Sequence, residues 1–144
     1  MNTDDRLHAF AISLGDVARL WREQIGRRVR PFGLSFMQWL TLLQLSRAMG
    51  DVVQKDLAAL VGIEGPTMVG ILDRLVRSGL VERRVSPQDR RANTVHLTGA
   101  GDDKLLALEG GLRELREDML SGLGRADLET GTRLLKHIAG RAKP

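Results

Sequence analysis

Between Asp4 and Val29, the residues Leu7, Phe10, Leu14, Val17, Trp21 and Ile25 recur at steps of three and four, the period of a helix with one apolar stripe. Arg30-Pro31-Phe32-Gly33 ends that run, because proline disfavours helix at the preceding residue and glycine permits a turn. Ser35 and Gln38 stand at capping-box spacing, so a second helix is predicted from Phe36 to Met49, closed by Gly50-Asp51. Trp39, Leu42, Leu43 and Leu45 make it apolar nearly all round, the pattern of a buried helix. A short third helix from Lys55 to Val61 is expected to turn Leu57, Ala58, Leu60 and Val61 inward and to stop at Gly62.

Pro66 suits the first turn of a fourth helix, where its missing N–H costs nothing. Met68, Ile71, Leu72, Leu75 and Val76 make its core face; Thr67, Gly70, Arg74 and Arg77 line the opposite side, and Gly79 caps the end. From Leu80 to Val85 and from Thr94 to Leu97 the chain is β-like, joined by a polar, turn-rich loop over residues 86–93. Thr98 can cap a long helix reaching about Gly122, on which Leu105, Leu108, Leu112, Leu115 and Met119 form a seam for another helix. Gly110-Gly111 marks a candidate bend within it. A last helix, from Ala126 to Arg141, presents Leu128, Leu134, Leu135 and Ile138. Only the first few residues and Ala142-Lys143-Pro144 are expected to be disordered. The expected class is mainly α with a small β-hairpin wing, in three parts. The parts are an N-terminal helix (1–33), a helix-turn-helix with its hairpin (34–98) and C-terminal helices (99–144).

Charge sharpens this picture. The 144-residue chain has a net charge of +4, and its distribution matters more than its size. From Arg74 to His96 there are six arginines (74, 77, 83, 84, 90 and 91) against Glu82 and Asp89, whereas from Ala100 onward eight basic residues balance eight acids. A second cluster is Arg27-Arg28-Arg30. An α-helix fits the major groove of B-DNA, with its N-terminal residues meeting base edges first. Here these are Pro66, Thr67 and Gly70, with Arg74, Arg77 and the hairpin's Arg84 available for phosphates. Surface arginines on one helix are commonplace. The hairpin tip adds Asp89-Arg90-Arg91, which can place guanidinium groups over phosphates or in a narrow minor groove, Asp89 pairing with Arg91 to aim it.

Other chemistries lack their residues. There is no cysteine, His8, His96 and His137 lack metal-ligand spacing, and no nucleophile–base pair or phosphate-cradling glycine loop occurs, so neither an enzyme nor a cofactor or metal is expected. No apolar run approaches the ~20 residues needed to span a bilayer. The start, MNTDDRLHAF, carries acids where a secretory signal has a basic region and an apolar core, so a cytoplasmic location is expected.

The stretches GIEGPTMVGILDRLVRSGLVER (62–83), DRRANTVHLT (89–98) and ARLWREQIGRRVRPFGLSFMQWLTL (18–42) resemble MarR-type winged helix-turn-helix regulators, closest to the SlyA-like branch. The resemblance runs from about Leu14 to Gly122. It implies a homodimeric repressor or activator, with repression the expected sign, that reads a pseudo-palindromic duplex. Recognition helices would lie in successive major grooves and wing arginines in flanking minor grooves. By position, Pro66 and Thr67 match base-contacting sites, and Arg91 matches the minor-groove arginine, with Arg90 beside it and Asp89 as brace. Gly70 departs from the SlyA-like pattern, which has arginine there.

The resemblance further implies that the terminal helices (1–33 and 99–144) serve dimerisation around a winged helix-turn-helix DNA-binding domain (34–98), interlocking through Leu7, Phe10, Leu14, Leu112, Leu115, Met119, Leu128, Leu134, Leu135 and Ile138. Family members often answer to small aromatic carboxylates or phenols. The matching region holds Arg19, Trp21, Phe36, Trp39 and Leu43; Arg19 is the candidate partner for a carboxylate, and the rings the candidate apolar wall. Tryptophans at helical spacing are as readily plain core. The competing reading is a helical dimeric adaptor that binds proteins and has lost DNA binding, for which Gly70 and the modest net charge speak.

Overall fold

In a computed structural model, which describes residues 2–144, the chain forms six helices, a short 3-10 turn and a three-stranded sheet. α1 is Thr3–Val29, the 3-10 turn Arg30–Phe32, α2 Phe36–Arg47, β1 Val52–Val53, α3 Gln54–Val61 and α4 Gly65–Arg77. β2 is Val81–Val85, β3 Asn93–Leu97, α5 Gly99–Met119 and α6 Arg125–Ala142. Compactness divides the chain into one unit over Met1–Leu112 and a second over Arg113–Pro144.

The ends of the helices follow local chemistry. Asn2 caps α1 in a reciprocal box with Asp5, which brings order to a segment expected to fray; Met1 lies outside the described residues. Ser35 and Gln38 form the box predicted for α2. That helix ends at Arg47 rather than Met49, because Ala48 is extended, and the following residues turn at Gly50 toward the sheet. Gly62 closes α3 at φ 80°, a left-handed conformation that favours glycine.

The sheet is larger than the hairpin read from the sequence. β3 lies at its centre, antiparallel to β2 on one side and to the two-residue β1 on the other, with Val52 opposite Val95 and Val53 opposite Thr94. Two valines between a turn and a helix are too short to show alternation, so this strand is invisible in the pattern.

The first unit has its own core: Val29, Leu42, Leu57, Met68, Leu72, Leu75, Val81 and Val95 are almost wholly buried. Buried Thr41 donates its hydroxyl to the Met37 carbonyl at 2.7 Å, so its polar atom is satisfied. Two expected core residues face outward: Leu60 is 56% exposed and Val76 37%. α3 buries only Leu57 and Ala58 and α4 only Met68, Leu72 and Leu75, so the apolar stripes of these helices are narrower than the runs of apolar letters suggest.

α5 begins at a stapled corner. Thr98 donates its hydroxyl to the Gly79 carbonyl at 2.6 Å and accepts from the Gly101 N–H at 3.1 Å, while its own N–H reaches the Leu80 carbonyl. A Cβ at Gly101 would lie 2.2 Å from the Leu80 oxygen, so this contact requires glycine. α5 is one continuous helix through Gly110-Gly111. It stops at Met119, and Gly122 turns the chain at φ 86°. In the second unit, α6 has no buried residue, and Leu134 and Leu135 are 45% and 53% exposed. No helix among the described residues is long and apolar enough to cross a membrane.

Candidate nucleic-acid interface

α4 owes its orientation to a narrow core face. Met68, Leu72 and Leu75 are buried, which leaves Pro66, Thr67, Gly70, Arg74 and Arg77 exposed on the helix, as the period predicts. Pro66 stands in the first turn, and Glu64, just before the helix, makes no side-chain cap, so the first N–H groups of α4 are not occupied by a capping side chain. Gly70 has nothing within 4 Å of where a Cβ would be, and its φ is ordinary. The centre of the outer face is therefore bare backbone.

The tip between β2 and β3 is built by a polar turn. Asp89 Oδ1 accepts from the Arg91 backbone N–H at 2.9 Å, and the Ala92 N–H bonds to the Asp89 carbonyl at 3.1 Å. The Ser86 N–H bonds to the Ala92 carbonyl at 3.0 Å, and buried Ser86 meets Gln88 through its hydroxyl. This corrects the expected role of Asp89, which holds the Arg91 main chain rather than its guanidinium. A short aspartate side chain readily bonds the backbone N–H two residues on, closing an Asx turn, and its carboxylate is then occupied locally. Arg90 and Arg91 are exposed.

The other arginines differ in what they are free to do. Arg84 is held by Glu82 on the same strand face, so its charge is partly spoken for. Arg83, on the opposite face, is enclosed by Gln54 and Asp73. Among the described residues Arg74, Arg77, Arg90 and Arg91 enter no ion pair. Four uncommitted, exposed guanidinium groups thus occupy α4 and the tip. Such groups can bind phosphate without first breaking a bond within the protein.

A cavity near the start of α2 is lined mostly by residues other than those read from the sequence for an effector. Its volume is about 560 Å³, and it is lined by Arg22, Glu23, Gly26, Arg30, Gly33, Leu34, Ser35 and Phe36. Of the five residues singled out from the sequence, only Phe36 lines it. Arg19 is engaged by Glu23 at 3.1 Å and Asp16 at 3.8 Å, one turn away on the exposed face of α1. Trp39 is buried and packs on Phe36, with ring centroids 5.7 Å apart. Trp21 and Leu43 are half-buried and do not line the cavity. Arg22 and Arg30 both line the cavity, and the Arg22 guanidinium lies 5.5 Å from the Phe36 ring centre. Helical spacing places Arg19 and Arg22 on neighbouring rows, and only the start of α2 decides which of them faces the cavity.

Of the dimerisation residues, Leu7, Phe10, Met119, Leu128, Leu134 and Leu135 are exposed and Leu14 and Ile138 half-buried. Leu112 and Leu115 are buried within the single chain, together with Leu108, so that part of the predicted seam is already covered. Among the described residues no group of His, Asp or Glu is placed to hold a metal ion.

Known proteins share this architecture. A profile of the MarR family matches residues 32–92. The transcriptional regulator PA3341 is 35% identical over 92% of this chain and 96% of its own, with a TM-score of 0.82. AbsC, a MarR family transcriptional regulator from Streptomyces coelicolor, is 26% identical over 98% and 96%, with a TM-score of 0.83. MepR of S. aureus, solved in a complex with DNA, has the same fold at 21% identity over 93% and 98%, with a TM-score of 0.81.

Proposed function

The chain belongs to the MarR family of transcriptional regulators, and from that premise we propose that it acts as a homodimeric, sequence-specific DNA-binding repressor. α4 enters the major groove of a pseudo-palindromic duplex, and the Asp89-Arg90-Arg91 tip reaches the adjacent minor groove. The observation that carries this is the set of four unpaired guanidinium groups on α4 and the tip, with the tip's backbone held by Asp89. The MepR–DNA complex supports the same use of the fold. The exposed leucines of α6 and the apolar stripe of α1 are left for a second copy. Two reading heads must then sit about 34 Å apart to meet successive major grooves.

The test is duplex binding as a function of salt. Each phosphate contact contributes about one unit to the slope of log affinity against log salt concentration. Arg91→Ala is expected to weaken binding by about 1–3 kcal/mol, roughly five- to a hundredfold, and to leave the oligomer intact. An unchanged mobility shift would instead favour the adaptor reading.

The cavity beside Phe36 fits a small aromatic carboxylate or phenol: its volume lies within the usual range for ligand sites, and it combines a ring with two arginines. A ligand there that favours another head spacing releases DNA. Salicylate titrated against tryptophan fluorescence should report through Trp39, which touches Phe36. A flat titration with the parent protein, or one unaltered in Arg22→Ala, removes this site.

A further inference from the structure

One arginine of the wing is already engaged within the protein. Arg83 lies in the middle of β2, opposite Val95, and its side chain joins three elements. Its Nε donates to Gln54 Oε1 at the start of α3, at 3.1 Å. Its Nη2 donates to Asp73 Oδ1 on α4 at 2.8 Å and lies 3.4 Å from the Val69 carbonyl, one turn earlier on the same helix. The Arg83 side chain is only 25% exposed, against 44% for Asp73.

Two consequences follow from this geometry. Asp73 stands on the outer half of α4, between the residues that face away from the core, and it is the only acid in that helix. A bare carboxylate there would repel the phosphates that Arg74 and Arg77 are free to meet; the guanidinium of Arg83 cancels it. The bonds to Val69 and Asp73 grip α4 at successive turns, and the bond to Gln54 ties the same guanidinium to α3. The rotation of α4 about its own axis is thereby fixed relative to the sheet that carries the tip. The buried apolar residues Met68, Leu72 and Leu75 set which side faces inward but tolerate small rolling and sliding; a directional fork of hydrogen bonds does not.

We propose that Arg83 is a positioning residue for DNA binding: it locks α4 to the wing sheet and neutralises Asp73, so that helix and tip engage one duplex in a fixed relation, without itself touching phosphate. This rests on the DNA-binding reading above, and it separates Arg83, which aligns, from Arg74, Arg77, Arg90 and Arg91, which are free to contact phosphate.

The experiment uses a duplex selected by the parent protein from a randomised 30-base-pair pool, with affinity measured over a salt series for Arg83→Gln, Asp73→Asn, the double variant and Arg91→Ala. Arg83→Gln is expected to weaken binding roughly tenfold with the salt slope unchanged, whereas Arg91→Ala lowers the slope by about one. Asp73→Asn discriminates further, even where Arg83→Gln folds poorly. If Arg83 were a phosphate ligand restrained by Asp73, releasing it and removing an acid would strengthen binding. An aligning role requires Asp73→Asn to weaken binding, and the double variant to be no worse than the poorer single, since the two changes break one contact. Amide exchange in α4 and β2 should quicken in both single variants. A reduced slope for Arg83→Gln, or tighter binding by Asp73→Asn, overturns the proposal. A parent that binds no duplex overturns both it and the DNA-binding reading, whereas a binding parent with unaffected variants overturns the alignment alone.

Discussion

The reading lobe and the last helix bury their leucines to opposite degrees. Leu57, Leu72 and Leu75 are sealed inside the lobe, while Leu134 and Leu135 of α6 stand about half exposed, and α6 buries nothing. Both segments are amphipathic by pattern, so the pattern alone does not distinguish an apolar face that packs within the chain from one that waits for another surface. The difference lies in what the neighbouring chain supplies. α3, α4 and the sheet fold onto one another through short connections, and α6 has no such neighbours within its own unit beyond the end of α5.

Making the same truncation in both regions breaks this comparison most sharply. Leu72→Ala is expected to cost about 2–5 kcal/mol, because it opens a cavity in a closed core. Leu135→Ala should leave the folding of a single protomer within about 0.5 kcal/mol and act on association instead. Denaturation midpoints measured over a range of protein concentrations separate the two: the first falls at every concentration, the second only where dimer would form. Equal, concentration-independent losses would mean that α6 is covered within its own chain. A gain instead of a loss is expected at Gly70. Gly70→Ala should stabilise the protein by up to about 1 kcal/mol, since the added methyl meets nothing and alanine favours helix. A loss of stability would show that the space above Gly70 is already filled in solution.

Much of this was legible in the sequence. The helix starts at Ser35 and Thr98 and the stop at Gly62 are written in short-range chemistry, and the structure realises them. The outward set Thr67, Gly70, Arg74 and Arg77 follows from a clean helical period on a helix with three buried residues. What escaped depends on contacts between distant residues. β1 acquires its strand character only by pairing with Val95 and Thr94. Arg83 and Arg84 are adjacent letters of equal charge, and their different fates depend on Asp73 and Glu82, one of them on another element. That Arg22 and not Arg19 lines the cavity beside Phe36 depends likewise on contact between elements: the turn at Gly33 brings Phe36 beside one row of α1 and not the next.

The empty centre of α4 bears on how such a regulator changes over generations. Gly70 is exposed, free of strain and without neighbours, so side chains of many kinds can be installed there at no cost to folding. Most positions that meet a ligand are also held by packing, and a change of preference there carries a change of stability. Here the two are uncoupled. If α4 reads bases as proposed, a single substitution at Gly70 would give the helix a new base preference while the core, the wing and the Arg83 fork stay as they are, a mutational route to new target genes that costs the fold nothing.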